Sequence, residues 1–190
     1  MSKFDSKYMI TMKDIIKEGS DILRKKTNPV NLPVSTEDKE ALKCMLQYLK
    51  NSRDPIISKK YNLRAGVGLS ANQIGLDKRM FAALFEENEG QFMLINPKII
   101  SHSINMIYLP EGEGCLSVDR QVDGLVPRYE RIKVKAYDID GNEKTFRFKG
   151  YQSIVIQHEI DHLNGIMFYD RINKENPYKV PENIEIGSLY

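Results

Sequence analysis

Three side chains in one short stretch have the types and spacing for metal-assisted chemistry: His158, Glu159 and His162, in Gln157-His158-Glu159-Ile160-Asp161-His162. On an α-helix, residues four apart lie one above the other. His158 and His162 would offer two imidazoles to one divalent ion, and Glu159 a carboxylate to a water activated there. A catalytic ion takes three protein ligands and keeps one position open, so a third donor is needed. In the pattern HExxHxxGxxH, Gly165 falls in place, but residue 168 is Phe168 rather than histidine. His102, the remaining histidine, lies between expected strands, flanked by Ser101 and Ser103, and reads as exposed. Glu175 would suit a downstream carboxylate ligand, yet the segment after Gly165 is strand-like rather than helical. That leaves Cys115, in Glu111-Gly112-Glu113-Gly114-Cys115-Leu116-Ser117, where a tight loop could present a thiolate. An ion lowers a thiol's pKa, so the proton is lost on binding.

The element carrying the histidine pair must be a helix. Ser153-Ile154-Val155-Ile156 leads into it and Asn164-Gly165 is a stop signal. Ile154 and Val155 lie four and three residues before His158, and Tyr151 a further turn back, which predicts an apolar wall beside the ion. A second, amphipathic helix is expected over residues 37–49, where Leu42, Met45, Leu46 and Leu49 follow helical spacing. Ser35 and Asp38 resemble a capping box at its start, it should fade near Asn51-Ser52, and Asp54-Pro55 marks a turn. Residues 11–26 suggest a helical turn and a packed connector. Glycines 66 and 68, in Gly66-Val67-Gly68-Leu69-Ser70-Ala71-Asn72-Gln73, let another backbone approach closely. The stretch lacks the third glycine of a dinucleotide fingerprint and the Gly-Lys-Ser/Thr of a P-loop.

Strands are expected at residues 80–85 and at 92–95, the latter stopped by Asn96-Pro97, then at 98–103 and 104–109. Ile132, Val134 and Ala136 alternate with Lys133, Lys135 and Tyr137, and a turn at Asp140-Gly141-Asn142 leads into an alternating strand at 145–149. Pro177, Pro181 and Gly187 argue for an extended tail or a short strand rather than a C-terminal helix. The fold class is α+β: small mixed or antiparallel sheets around one central helix, in a single domain over residues 1–190.

At 190 residues, 41% hydrophobic and 28% charged, the chain has an ordinary globular composition. A formal net charge of +2, with no Lys/Arg-rich block interleaved with aromatics, gives no sign of nucleic-acid binding. Residues 1–5 lack an apolar leader and no apolar run reaches membrane-spanning length, so a cytoplasmic protein is expected. Two cysteines make at most one disulfide, and Cys44, on the amphipathic helix, reads as a core or shoulder residue.

Gly-Val-Gly-Leu-Ser-Ala-Asn-Gln (66–73), Glu-Gly-Cys-Leu-Ser (113–117) and Gln-His-Glu-Ile-Asp-His (157–162) resemble, in order, the three motifs of bacterial peptide deformylases. The likeness runs from Met12 to Phe168, and the long segment before Gly66 and the helix-poor tail resemble the Gram-positive branch. It implies removal of the N-formyl group from the initiator methionine of new polypeptides, with release of formate. Cys115, His158 and His162 would hold the ion, with Glu159 the proton carrier. Gln73 and the backbone N–H of Leu116 would stabilise the oxyanion. Substrate would be bound by Val67, Gly68, Gly114, Tyr151, Ile154 and Val155. The resemblance implies Fe(II), with Zn(II), Ni(II) or Co(II) substituting. The partner it implies is an N-formyl-methionyl nascent chain, which would be met at the ribosome near its exit tunnel. Ser70 and Asn72 depart from the family's usual Ala-Ala-x-Gln; the serine adds a hydroxyl that needs a partner. Asp161 would orient a ligand, paired with Arg128. Other readings are a zincin endopeptidase, whose usual third ligands are missing, and a His2Cys staple or formyl-peptide binder, which would survive replacement of Glu159.

Overall fold

Ser35 starts the first long helix by accepting the Asp38 amide on its hydroxyl at 3.1 Å and donating to the Asp38 carboxylate at 2.8 Å. The helix, α1 (Thr36–Arg53), buries Leu42, Met45, Leu46 and Leu49 as its spacing requires. Asp54 then caps a second helix instead of making a plain turn. Its carboxylate accepts from the Ile56 and Ile57 amides, and Pro55 sits in the first turn of α2 (Pro55–Tyr61), where its missing N–H costs nothing. These features come from a computed structural model that describes residues 3–5, 7–86, 89–180 and 186–188. Residues 15 and 23 of the expected packed connector are buried, with one 3₁₀ turn at Asp21–Arg24.

The main sheet has five antiparallel strands in the order β1 (Gly68–Ser70), β2 (Met80–Leu84), β3 (Gln91–His102), β6 (Arg131–Tyr137) and β7 (Glu143–Lys149). A smaller sheet has the order β5 (Arg128–Tyr129), β4 (Met106–Tyr108) and β8 (Ile186–Ser188), with β4 and β8 parallel. The fold class is α+β, as expected. Strand β3 does not stop at Asn96-Pro97. Asn96 adopts φ 52° and the register shifts between Ile95 and Lys98, so a bulge carries the proline without a missing ladder bond. The expected strand over 104–109 shortens to β4. The apolar segment after Gly165 is no strand either: Phe168–Arg171 forms a 3₁₀ turn, closed by the Met167 amide donating to Asp170 at 2.8 Å. The tail is not helical where described; β8 is extended, and Pro181 lies outside the described residues.

Strand β2 is buried on both faces, and its alternation divides the core. Met80 and Ala82 pack with α1, while Phe81 and Ala83 pack with Ile156, Ile160 and Leu163 of α3 (Gly150–Leu163). Helix α3 thus runs under the sheet's other face, beside β1. Gln157, mid-helix, accepts from the Tyr129 amide and donates to the Tyr129 carbonyl at 3.0 and 2.9 Å, fastening α3 to β5. The helix ends where Gly165 takes φ +75°, a position where a Cβ would meet the Arg24 backbone at 2.6 Å.

Candidate metal centre

Four residues apart on α3, His158 and His162 bring their Nε2 atoms to 3.1 Å, and Cys115 Sγ lies 3.2 Å from His162 Nε2. All three donor atoms fall within 4.8 Å of one another. A tetrahedral ion with bonds of about 2.0–2.3 Å would set such atoms about 3.3–3.6 Å apart. Two sides of the triangle are therefore within a few tenths of an ångström of what an ion requires, and its one sulfur and two nitrogens suit a borderline divalent metal. The expected third ligand is the one brought in. Among the described residues, neither His102 nor Glu175 joins it. His102 is exposed and stacks on Tyr129 at 3.7 Å. Phe168, where a third histidine would have stood, is buried and stacks beside the His158 ring instead.

The Cys115 loop is held from several sides. Arg64 donates to the Cys115 carbonyl at 3.1 Å, Lys17 to the Leu116 carbonyl at 3.0 Å, and the Glu18 amide to the Ser117 carbonyl at 2.8 Å. His158 is oriented by Glu113, whose Oε2 is 2.8 Å from Nδ1, leaving Nε2 to face the triangle. Arg128, 1% exposed, donates to both Glu113 oxygens at 2.8 and 2.9 Å and also to Asp161, which Arg171 binds from outside. The expected Arg128–Asp161 pair exists, but the carboxylate touching a ligand is Glu113. Its position two residues before Cys115 in a loop was the available signal. Burial works against the Glu113 charge, but the Arg128 guanidinium outweighs it and brings the carboxyl down to about 2.

Glu159 is 3% exposed, and burial pushes its carboxyl up to about 7, against a downward pull from His158. Its Oε2 has no hydrogen-bond partner among the described residues. The carboxylate occupies the space a side chain at residue 68 would fill: a Cβ on Gly68 would lie 2.2 Å from Oε1 and 2.6 Å from Cδ. This close approach is why the position needs glycine.

Gln73 is 1% exposed and fully oriented. The Ser70 amide and hydroxyl both donate to its Oε1, at 2.9 and 3.0 Å, so the hydroxyl added by Ser70 finds its partner there. Gln73 Nε2 in turn donates to Ser117 Oγ at 3.0 Å and lies 3.5 Å from Cys115 Sγ. Asn72, the other unusual residue, donates to the His162 carbonyl at 2.6 Å and so braces the end of α3. Ser117 and Gln157 stand in the short motifs of Cys115 and the histidine pair, whereas Arg171 has no sequence signal of its own.

A cleft of about 260 Å³ opens over the triangle, and Val67, Gly68, Gly114, Leu116, Tyr151, Ile154 and Val155 all line it together with Gln73, Cys115, His158 and Glu159. Every residue expected to touch substrate is thus on one wall or the floor of the same space. The sequence matches the family model of polypeptide deformylase over residues 12–178. It is 54% identical over 178 residues to a peptide deformylase of Oceanobacillus iheyensis, covering 92% of this chain and 97% of that protein. It is 56% identical over 183 residues to peptide deformylase 2 of Geobacillus stearothermophilus, covering 94% and 100%. The crystal structure of a Thermus thermophilus peptide deformylase superposes with TM-score 0.71 at 34% identity, over 85% of this chain and 86% of that one. The matched span takes in Cys115, His158 and His162 together with the elements that position them, and the chain is an enzyme of the peptide deformylase family.

Proposed function

We propose that residues 1–190 form one catalytic domain that removes the N-formyl group from the initiator methionine of newly made polypeptides, releasing formate, in the cytoplasm. One observation carries this reading: a Cys-His-His triangle next to a buried carboxylate, at the floor of a cleft with one apolar wall. Cys115, His158 and His162 would hold a divalent ion, Fe(II) by family likeness, with Zn(II), Ni(II) or Co(II) accepted by the same donors. When bound, the ion polarises the formyl oxygen and makes water acidic enough to lose a proton near neutral pH.

The protein's own groups do the rest. Glu159 takes a proton from the attacking water and returns it to the leaving amine, work that suits a carboxyl raised to about 7. The oxygen of the formyl group gains charge during attack. Gln73 Nε2, already fixed by Ser70, and the Leu116 amide are the donors for it, each worth on the order of 3 kcal/mol. Strand β1 is the outer strand of its sheet, so the substrate backbone can add alongside Val67 and Gly68, with Gly114 opposite. Tyr151, Ile154 and Val155 supply an apolar surface for the flexible methionine side chain. A nascent chain carrying formyl-methionine is met at the ribosome near its exit tunnel.

The direct test is formate release from formyl-Met-Ala-Ser by anaerobically purified, Fe(II)-loaded protein. Formate should form in step with free amine, and Glu159→Gln should abolish turnover while keeping the ion. No formate above background, or a fully active Glu159→Gln variant, overturns the proposal.

A further inference from the structure

We propose that the solvent face of β3, β6 and β7 is a docking surface for RNA, bound through its phosphates. Residues directly opposite on neighbouring strands share a face. The register sets Arg131 opposite Lys149, Lys133 opposite Arg147, and Lys98 opposite Lys135. Six cations therefore stand on one side of three adjacent strands, all of them exposed. The intervening Ile132, Val134 and Phe148 are core residues packed toward α3, so the cations cannot trade sides without burying charge.

Few acids answer them. Glu130 lies 3.7 Å from Arg131, and Glu143 lies 2.8 Å from Lys135. Among the described residues, Lys98, Lys133, Arg147 and Lys149 form no ion pair. The chain as a whole has 28 Lys and Arg against 26 Asp and Glu, so this face is a segregation of charge and not a reflection of composition. Two facing like-charged pairs on one ladder work against the sheet unless an anion lies across them.

The spacing selects the anion. Cations recur every second residue along a strand, about 6.6 Å apart, and about 4.8 Å apart between strands. That is a flat lattice of charge, suited to a regular polyphosphate backbone. Two of the six are arginines, which grip phosphate through two donors. A bilayer-binding face would interleave apolar side chains with its cations; here Ser101 and Thr145 stand opposite Lys133 and Lys135, and the exposed Ile100 and Ile104 lie at the bulge of β3 and beyond its end, outside the paired rows. Lys149 also borders a second cleft that shares Gly66, Val67 and Tyr151 with the first; Glu86, Glu89 and Glu130 line it too, so the cationic face ends there, near the path of the substrate. The charge pattern stands without the proposed activity, which supplies only the context: a new polypeptide leaves an RNA-rich particle.

The test is fluorescence anisotropy of a short labelled RNA duplex with metal-loaded protein across a salt series. Four phosphate contacts give a log–log slope of about −3.6, or a loss of about 150-fold in affinity between about 50 and 200 mM salt. The double variant Lys133→Gln/Arg147→Gln should lower the slope by about 2, with formate release from formyl-Met-Ala-Ser unchanged and thermal stability equal or higher. RNA binding that this variant leaves unaltered overturns the proposal, as does no binding at low salt. Tighter binding of anionic vesicles or a polyglutamate peptide than of RNA, lost in the same variant, also overturns it. Because RNA binding and formate release are read separately, failure of this proposal is distinct from failure of the proposed activity.

Discussion

Gly68→Ala isolates the geometry between the substrate strand and the carboxylate. Its added Cβ would sit 2.2, 2.6 and 2.8 Å from Oε1, Cδ and Cγ of Glu159, against an ordinary contact limit near 3.4 Å. The side chain must retreat by roughly 1 Å, and a displacement of that size at a reacting group costs about 100-fold in rate. Gly68 has no positive φ, so the substitution adds no backbone strain and acts through the clash. Steady-state kinetics on a formyl-methionyl peptide, with metal content measured on the same samples, should show kcat down about 100-fold at full metal occupancy. Overpacking should lower stability by about 1–3 kcal/mol. Gly66→Ala is the control: its Cβ would meet only the Leu116 and Leu49 side-chain tips at 3.1 and 3.2 Å, and the effect should be far smaller. A Gly68→Ala enzyme within about threefold of the parent, well short of the factor expected from misplacement, would refute this reasoning.

Arg128→Met would remove the guanidinium that pairs the buried Glu113 and leave Asp161 to Arg171 alone, and should destabilise the protein by about 3–5 kcal/mol in denaturant unfolding. Glu113 has its carboxyl lowered to about 2 from an ordinary 4.5, so it stabilises the fold above pH 4.5. That contribution, on the order of 3 kcal/mol, is lost as pH falls toward 2. Unfolding free energies of the metal-free protein should therefore drop over that window, and Glu113→Gln should flatten the drop. Ser70→Ala removes one of two donors to Gln73 Oε1 while the backbone amide remains. It should lower kcat by about 2- to 10-fold, the range of one hydrogen bond, with KM little changed. An unaltered kcat would mean the hydroxyl does not help hold the amide.

How much of this was legible in the sequence depended on range. Helical spacing identified α1 and α3, because i, i+4 neighbours are fixed by the helix itself. The Ser35 cap was equally local. Asp54-Pro55 read as a turn because a cap followed by proline opens a short helix with the same letters. Asn96-Pro97 read as a stop because a bulge depends on the partner strand, which the sequence does not display. In the metal triangle, His158 and His162 came from spacing, whereas Cys115 needed elimination and family likeness, being 43 residues from His158 along the chain. The roles of the supports around it were hidden: Glu113 and Ser117 stand in the same short motif as Cys115, but they and Arg171 act only through partners that folding brings near. The cationic face was hidden for the same reason. Its six residues come from three strands, and a net charge of +2 conceals them.

X-ray absorption at the metal edge of the zinc-loaded protein bears most directly on the shared centre. The geometry requires one sulfur at about 2.3 Å and two nitrogens at about 2.0–2.1 Å, with the remaining position filled by a light oxygen donor. Loss of the sulfur shell in Cys115→Ser, with the two nitrogens kept, would complete the expected result. A spectrum without sulfur, or with four protein donors closing the centre, would contradict it.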